Sequence, residues 1–125
     1  MLTELKIEAL IQREHAEERV MLRALEDCDL SNFIIVDHTF DEHRNLSDKI
    51  RHSFWFPKQQ VKAGDIIFLY TKSGRDRFFK NITKSTSYAY FWDIDSNVWN
   101  DLYDGVILIK IDTFTSKYFK GNMTN

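Results

Sequence analysis

The sequence predicts an all-β fold, a sandwich or a small barrel, in a single domain over residues 1–112 that is followed by a tail at 113–125. Three observations lead to this prediction. About seven short apolar segments follow one another closely, with turn residues between them and almost no helical periodicity. Aromatic residues make up 14% of the chain, and large rings pack well on pleated sheets. The apolar fraction of 43% in 125 residues is enough for one hydrophobic core.

The strands are predicted from local apolar patterns. Alternation of apolar and polar residues favours a first strand over 5–11, for which a helix beginning at Thr3 is the alternative. Gly64 is expected to adopt a positive φ in the turn before one of the later strands. Six further strands are predicted, at 20–25, 33–36, 52–56, 66–70, 88–92 and 106–111.

The same patterns predict which strands lie in the middle of a sheet and how the segments between strands are built. The segments 33–36, 66–70 and 106–111 are apolar on both faces, which is typical of strands in the middle of packed sheets. Residues 37–49 lack periodicity and are expected to form a surface loop or an irregular hairpin. Residues 72–77 are expected to form a turn.

Charge and cysteine content restrict the function and the compartment. The net charge of −2 gives no overall attraction to nucleic acid or to anionic membranes, so such binding requires a local patch. Cys28 is the only cysteine, which excludes an internal disulfide and suits a reducing compartment. The first residues do not form a signal peptide, and no apolar segment is long enough to cross a membrane. A cytoplasmic protein that does not bind membranes is therefore expected.

Several short pieces stand in an order that resembles a known family. They are Glu18-x-Val20-x-Leu22, Asp29-Leu30-Ser31-x-Phe33, Phe54-x-Phe56-Pro57, Val61-Lys62-Ala63-Gly64-Asp65, Val98-Trp99-Asn100-Asp101 and Asp104-Gly105-Val106-Ile107-Leu108. Together they span about residues 18–111 and resemble the lamin-tail domain, an immunoglobulin-like β-sandwich. Phe33 and Tyr103 stand where the family has tryptophan and glycine, and residues 71–97 match poorly.

The resemblance implies an immunoglobulin-like β-sandwich of a divergent bacterial or phage type, and it implies little chemistry. Lamin-tail domains look like scaffolds for binding proteins. They share no catalytic residues, so the resemblance assigns no active site to this chain. The alternative fold is a small barrel of the PUA or EVE type, which binds RNA or modified bases. The sequence Gly-Asp-Ile-Ile-Phe-Leu-Tyr at 64–70 also resembles a strand of such barrels.

Two acidic segments are candidates for metal binding. Oxygen ligands are available from Asp93 to Asp104, yet their spacing fits no calcium loop. The preferred interpretation is a turn in which the side chains of Asn100, Asp101 and Asp104 accept hydrogen bonds from backbone amides. Trp99 would then fill the end of the sandwich. The sequence Asp37-His38-x-x-Asp41-x-His43 could hold zinc, although such residues in a polar loop are usually only solvated. No metal or other cofactor is therefore expected.

The strongest candidate for a binding site is the basic segment 72–84 together with the following strand. Its cations are interleaved with phenylalanines, a pattern that suits either a nucleic-acid backbone or an acidic protein. Tyr88, Tyr90 and Trp92 share one face of a strand, which is either a protein-binding surface or the core. The predicted binding residues are Lys72, Arg75, Arg77, Lys80, Tyr88, Tyr90 and Trp92.

The sequence favours a non-enzymatic binding module. There is no nucleophile elbow, phosphate loop or metalloprotease motif, and the acidic residues around Cys28 are expected to raise its pKa rather than activate it. The leading hypothesis is a module that binds a protein partner through a sandwich edge and aromatic loops. The alternative is binding of nucleic acid or a nucleotide, with Trp55 and the strand aromatics stacking on bases and the basic residues contacting phosphate. A homodimer through an exposed sheet edge is a further expectation.

Overall fold

The structure, a computed structural model, describes residues 2–40, 43, 46–100 and 104–121, and these residues form the all-β fold that the sequence predicts. One turn of 3-10 helix, Leu30–Asn32, is the only helical element among them. The strands are β1 (Leu5–Ile11), β2 (Arg19–Ala24), β3 (Cys28–Asp29), β4 (Phe33–Phe40), β5 (Leu46–Trp55), β6 (Gln60–Val61), β7 (Ile66–Tyr70), β8 (Arg77–Lys80), β9 (Thr86–Phe91) and β10 (Asp104–Lys110).

The strands form two main sheets and one short pair. A five-stranded sheet has the order β1-β2-β7-β9-β8, a three-stranded sheet has the order β10-β4-β5, and β3 pairs with β6. All neighbours are antiparallel except β7 and β9, which run parallel. In this sheet order β8 lies at an edge of the five-stranded sheet, and only β9 pairs with it among the described strands.

One hydrophobic core joins the two main sheets. Leu22 and Leu69 from the five-stranded sheet and Phe33 and Ile35 from the three-stranded sheet belong to the same buried cluster, each with no exposed surface. Inward-facing apolar residues on both sheets are the arrangement of a β-sandwich. Two separate sheets favour the sandwich over the barrel alternative, and the immunoglobulin-like topology stays a prediction.

Most segments with clear periodicity form the predicted strands, and the polar segment after Val36 does not form the surface loop. Residues 5–11 form a strand, with a bulge between Ile7 and Ala9, and not the alternative helix. β4 continues to Phe40 and pairs with β5, because Asp37 and His38 are both buried and their backbone forms part of the ladder. The prediction of an irregular hairpin is the correct one of the two, with register shifts in the β4–β5 pair.

Two glycines are required where the backbone turns or approaches a ring. Gly64 has a φ of +95°, as predicted, and its N–H donates to the carbonyl of Ala24 at 2.8 Å. A Cβ at Gly74 would lie 2.4 Å from the ring of Phe91, so the loop that follows β7 can pack on this ring only with glycine.

The segment after β10 forms no strand in its described part. Side chains from Thr113 to Gly121 are exposed, and the ring of Phe114 packs edge-on against Trp55 with 4.9 Å between centroids. No described helix is long and apolar enough to span a membrane.

Candidate functional site

The predicted binding residues divide among three places in the structure. Lys72, Arg75 and Arg77 lie around the outer face of the five-stranded sheet and its β7–β8 loop. Lys80 and Tyr88 lie near the β8 edge. Tyr90 and Trp92 face the space between the sheets. The sequence therefore identified one region of the sheet, and it did not distinguish its surface from its interior.

On the outer face, two cations cover a stacked pair of rings. Tyr70 and Phe91 stack with 5.2 Å between centroids and 13° between ring planes. The Lys72 ammonium lies 5.3 Å from the centre of the Tyr70 ring, and the Arg77 guanidinium lies 5.7 Å from that of Phe91. We refer to these four residues as the aromatic row. Because its rings are engaged with each other and with cations, little ring face is left for a base.

Tyr90 is a core residue, so at this position the structure selects the core from the two alternatives that the sequence leaves open for the strand face. Its side chain is 5% exposed and packs on Phe54 and Phe56, with centroids 6.4 Å and 5.4 Å away. Burial raises the pKa of Tyr90 to about 12. Trp92 is half-buried beside Trp99, and its Nε1 donates to the carbonyl of Ser53 at 3.1 Å. Both residues fasten β9 and its end to the other sheet.

The β8 strand exposes large apolar side chains at a sheet edge. Its four residues are all exposed, and the exposed fractions are 68% for Phe78 and 49% for Phe79. Ile82, in the turn that follows, is fully exposed. The phenylalanines of the basic segment are therefore at the surface and do not fold back into the core. β8 was not predicted as a strand, since only four residues with a basic residue at each end carry no clear alternation.

A small cleft opens beside this edge. It has a volume of about 210 Å³ and is lined by Pro57, Lys58, Gln59, Asp76, Arg77, Phe78, Tyr88 and Tyr90. The rings of Phe78 and Tyr88 lie 6.0 Å apart on its wall, since these two residues are paired across β8 and β9. We refer to this space as the edge cleft. Small-molecule pockets have volumes of about 300–1,000 Å³, so the edge cleft has the size for a single side chain.

A larger groove lies on the other side of Tyr88. It has a volume of about 820 Å³, which is within the range of small-molecule pockets. Four cationic side chains from separate segments line it: Arg23, Lys62, Lys80 and Lys84. We refer to it as the basic groove. The sequence predicted Lys80 and Tyr88 as binding residues and included position 84 in the basic segment 72–84. It missed Arg23 and Lys62, because no local pattern indicates that positions 23 and 62 meet this segment.

A buried glutamate holds the backbone at Val98 and Trp99. The Glu18 carboxylate has no exposed surface and accepts hydrogen bonds from the backbone amides of Val98 at 2.7 Å and Trp99 at 3.1 Å. It also accepts from Thr71 and Asn97. Trp99 is fully buried, as predicted, and Asp101 lies outside the described residues. The segment is thus structural here, with Glu18 as the acceptor that sequence patterns did not identify.

The histidine and aspartate segment 37–43 does not assemble as a metal site in the described part of the chain. Asp37 is buried, and its carboxylate oxygen Oδ2 lies within hydrogen-bond distance of Nδ1 of His52, at 3.1 Å. His38 is also buried, His43 is exposed, and Asp41 lies outside the described residues. Among the described side chains, no group of three or more metal-ligating residues comes together.

Asp37→Asn is expected to make stability less sensitive to pH. Burial, with a further contribution from Asp104, raises the pKa of Asp37 above its usual value, while His52 opposes the shift. A carboxyl whose folded-state pKa is raised stabilises the fold fully below the unfolded-state pKa, and this contribution is lost as pH rises through the folded-state value. The variant should therefore gain stability relative to the wild type as pH rises above about 4, the pKa of an aspartate in the unfolded state. Urea unfolding as a function of pH measures the difference, with the exposed Asp95→Asn as control. Parallel pH profiles for wild type and Asp37→Asn would contradict it.

The Cys28 thiol is unreactive at neutral pH, as the sequence predicts. Burial, followed by the charges of Glu4, Asp29, Asp27 and Glu26, raises the pKa of Cys28 to about 11. The thiolate, which is the nucleophilic form, is therefore scarce. That the protein is not an enzyme stays a prediction.

Comparison with known proteins adds no relative. No protein-family model matches the chain, and no curated protein matches it in sequence. The lamin-tail resemblance therefore stays a prediction, and the candidate sites depend on the geometry alone.

Proposed function

We propose that this protein is a small non-enzymatic module that binds an extended, acidic segment of a partner protein along the β8 edge. The observation that carries the proposal is a sheet edge with two exposed phenylalanines, Phe78 and Phe79, beside the edge cleft. An unpaired edge offers backbone amides and carbonyls to an added strand, which supplies affinity without any catalytic group. The lamin-tail resemblance, with its implied scaffold role, supports the same function.

The apolar side chains at this edge are expected to be more stable in contact with a partner protein than in contact with solvent. Phe78, Phe79 and Ile82 lie within five positions of one another, and contiguous exposed apolar side chains on a soluble domain mark interaction sites. Phe78 and Phe79 point to opposite faces of the strand, so an added strand would bury one on each side. The edge cleft would accept one apolar side chain of that strand, next to Tyr88 and Phe78.

Charge around the edge determines the chemistry of the partner. Arg75, Arg77, Lys80 and Lys84 flank the apolar residues, and Asp76 is the only acid in the segment 72–84. Complementary charge steers association and selects partners. An extended segment that alternates apolar and acidic residues therefore fits the edge better than a basic one. A second copy of this chain, which carries the same cations at its own β8, fits less well, so we place homodimerisation below a heterologous partner.

Loss of the two phenylalanines is expected to abolish peptide binding while the fold persists. Peptides selected from a random-sequence display library on the wild type should bind Phe78→Ser/Phe79→Ser at least about tenfold more weakly, because edge-bound side chains lose their apolar contacts. Both side chains are exposed, so thermal unfolding should change little. Phe119→Ser, an equally exposed phenylalanine in the C-terminal segment, is the matched control. Amide exchange in the complex should slow along β8.

Two results would contradict the proposal. One is selected peptides that bind the wild type and the double variant equally. The other is slowed amide exchange that lies away from β8. A selected set without acidic residues would contradict the stated chemistry of the partner and leave the edge as its site.

Nucleic-acid binding through residues 72–84 is the alternative, and the geometry supports it less. Of the rings that would stack on bases, Tyr90 is buried, Trp92 is half-buried, and the exposed Trp55 already has another ring packed edge-on against it. The alternative predicts tight binding of a single-stranded oligonucleotide that weakens steeply with salt and is lost in Arg75→Glu/Arg77→Glu. Peptide binding that responds only weakly to salt would count against it.

A further inference from the structure

The basic groove lies next to the β8 edge, since Lys80 is the last residue of β8, and it has features of a small-ligand site. It is formed by the end of β2, the turn between β6 and β7, and the turn between β8 and β9. Its volume of about 820 Å³ exceeds that of the edge cleft almost fourfold. Tyr88 lines both spaces and separates them.

The lysines of the groove are not neutralised by carboxylates. In the described part of the chain, Lys62, Lys80 and Lys84 form no ion pair, and the Lys80 ammonium donates to the hydroxyl of Thr86 at 2.9 Å. Arg23 is the exception, since its Nε lies 3.6 Å from the Glu8 carboxylate. Three lysines held near one another repel, and an anion among them would relieve this repulsion.

The acids nearest the groove are engaged with backbone amides. The Asp65 carboxylate is 5% exposed and accepts from the amides of Lys62 and Thr86, both at 2.9 Å. Asp27, on the outside of the same turn, accepts from the amide of Ala63 at 2.9 Å. These bonds fix the turn that carries Lys62 against the start of β9. The backbone that carries Lys62 is therefore fixed before any ligand binds, which lowers the cost of binding.

We infer that the basic groove binds a ligand with adjacent phosphate groups, such as a nucleoside diphosphate or triphosphate. Several cations converging from different segments match several negative charges held close together, which a diphosphate provides and a single carboxylate does not. The groove has room for the remainder of such a ligand, and the half-buried Tyr88 offers an apolar wall for it. This function goes beyond protein binding at β8. The groove shares Lys80, Lys84 and Tyr88 with the surroundings of the edge, but its lining does not include the two phenylalanines.

Titration with pyrophosphate and with ATP at low salt tests the inference. Calorimetry should show binding of both to the wild type, and Lys62→Gln/Lys84→Gln should weaken it at least about tenfold, because two charge-assisted contacts are removed. Both lysines are exposed, and their loss should leave thermal unfolding unchanged. Lys117→Gln/Lys120→Gln, which removes two exposed lysines outside the groove, is the control and should retain binding. The edge variant Phe78→Ser/Phe79→Ser should retain it also, so failure of one proposal is distinguishable from failure of the other.

Three outcomes would overturn the inference. The first is no binding of pyrophosphate or ATP at millimolar concentration. The second is equal weakening in the groove variant and in the control variant, which would show attraction by overall charge. The third is binding of a single-stranded oligonucleotide that depends on Lys62 and Lys84 without binding of pyrophosphate, which would show recognition of a nucleic-acid backbone instead of adjacent phosphates.

Discussion

Glu18→Ala is expected to lower the free energy of unfolding by about 3–5 kcal/mol, because two buried backbone amides would lose the carboxylate that accepts their hydrogen bonds. The amides of Val98 and Trp99 donate to the Glu18 carboxylate at 2.7 Å and 3.1 Å, in a site closed to solvent. A buried donor without a partner costs about 1–3 kcal/mol, and removal of the side chain leaves a cavity as well.

The two side-chain donors at Glu18 contribute less to this expected loss. Asn97 already donates to the carbonyl of Arg13 at 2.8 Å, so its amide keeps a partner in the variant. The Thr71 hydroxyl, which donates to Glu18 at 2.7 Å, can rotate toward another acceptor. The expected loss is therefore set by the backbone amides, whose directions are fixed by the chain.

Urea unfolding with a graded pair of variants measures the effect. Glu18→Gln keeps one acceptor oxygen and presents an NH₂ group to donors, so it should be intermediate between the wild type and Glu18→Ala. Glu17→Ala removes a half-exposed neighbour whose ion pair with Arg19 lies at the surface, and it should change stability by less than about 1 kcal/mol. A loss at Glu18 as small as that at Glu17 would show that water replaces the carboxylate.

Local patterns in the sequence were sufficient to predict most of the strands. They were insufficient to predict which strands lie next to one another. β7 is apolar on both faces and lies in the middle of its sheet, as predicted, and the same holds for β4. β10 has the same pattern but forms an edge of the three-stranded sheet. An apolar segment indicates that a strand is buried, but it does not indicate which element buries it. For β10 that element includes β1 of the other sheet, which lies beside it, as the Lys110–Glu4 ion pair shows.

The candidate sites depended on topology that the sequence does not display. Periodicity placed Tyr88 and Tyr90 on one strand face, but Tyr90 is buried whereas Tyr88 is half-buried and lines two open spaces. The basic groove joins positions 23, 62 and 84, which are distant in the chain and meet only because β2, β7 and β9 are neighbours. Glu18 resembled its polar neighbours in sequence, and only its long-range hydrogen bonds reveal its role.

Trp99→Ala is expected to destabilise the fold by about 3–5 kcal/mol, since the largest fully buried side chain of the core would be replaced by a cavity. The Trp99 ring packs on Trp92 with 5.6 Å between centroids, and its Nε1 donates to the carbonyl of Gly105 at 3.0 Å. The side chain therefore connects the segment before β10 to β10 itself, and its backbone amide is held by Glu18.

A matched pair of indole variants separates burial from hydrogen bonding. Trp99→Phe and Trp55→Phe each remove an indole N–H that donates to a carbonyl, Gly105 in one case and Ser31 at 2.7 Å in the other. Trp55 is 48% exposed, so water can satisfy the Ser31 carbonyl, and the cost there should be below about 1 kcal/mol. At Trp99 the Gly105 carbonyl loses its indole donor beside a fully buried ring, and the smaller phenyl ring leaves a gap, so about 2–3 kcal/mol is expected.

Urea unfolding of the two phenylalanine variants, followed by circular dichroism, gives both values independently of the lost tryptophan signal. Equal small losses at the two positions would mean that the segment before β10 repacks around the smaller ring, and that Trp99 is not a fixed element of the core. A larger loss at Trp99 would show that this segment is held from both sides, by the indole on β10 and by the Glu18 carboxylate on the backbone. In that case Glu18→Gln and Trp99→Phe combined should lose a different amount from the sum of the single variants, because the two residues share one segment.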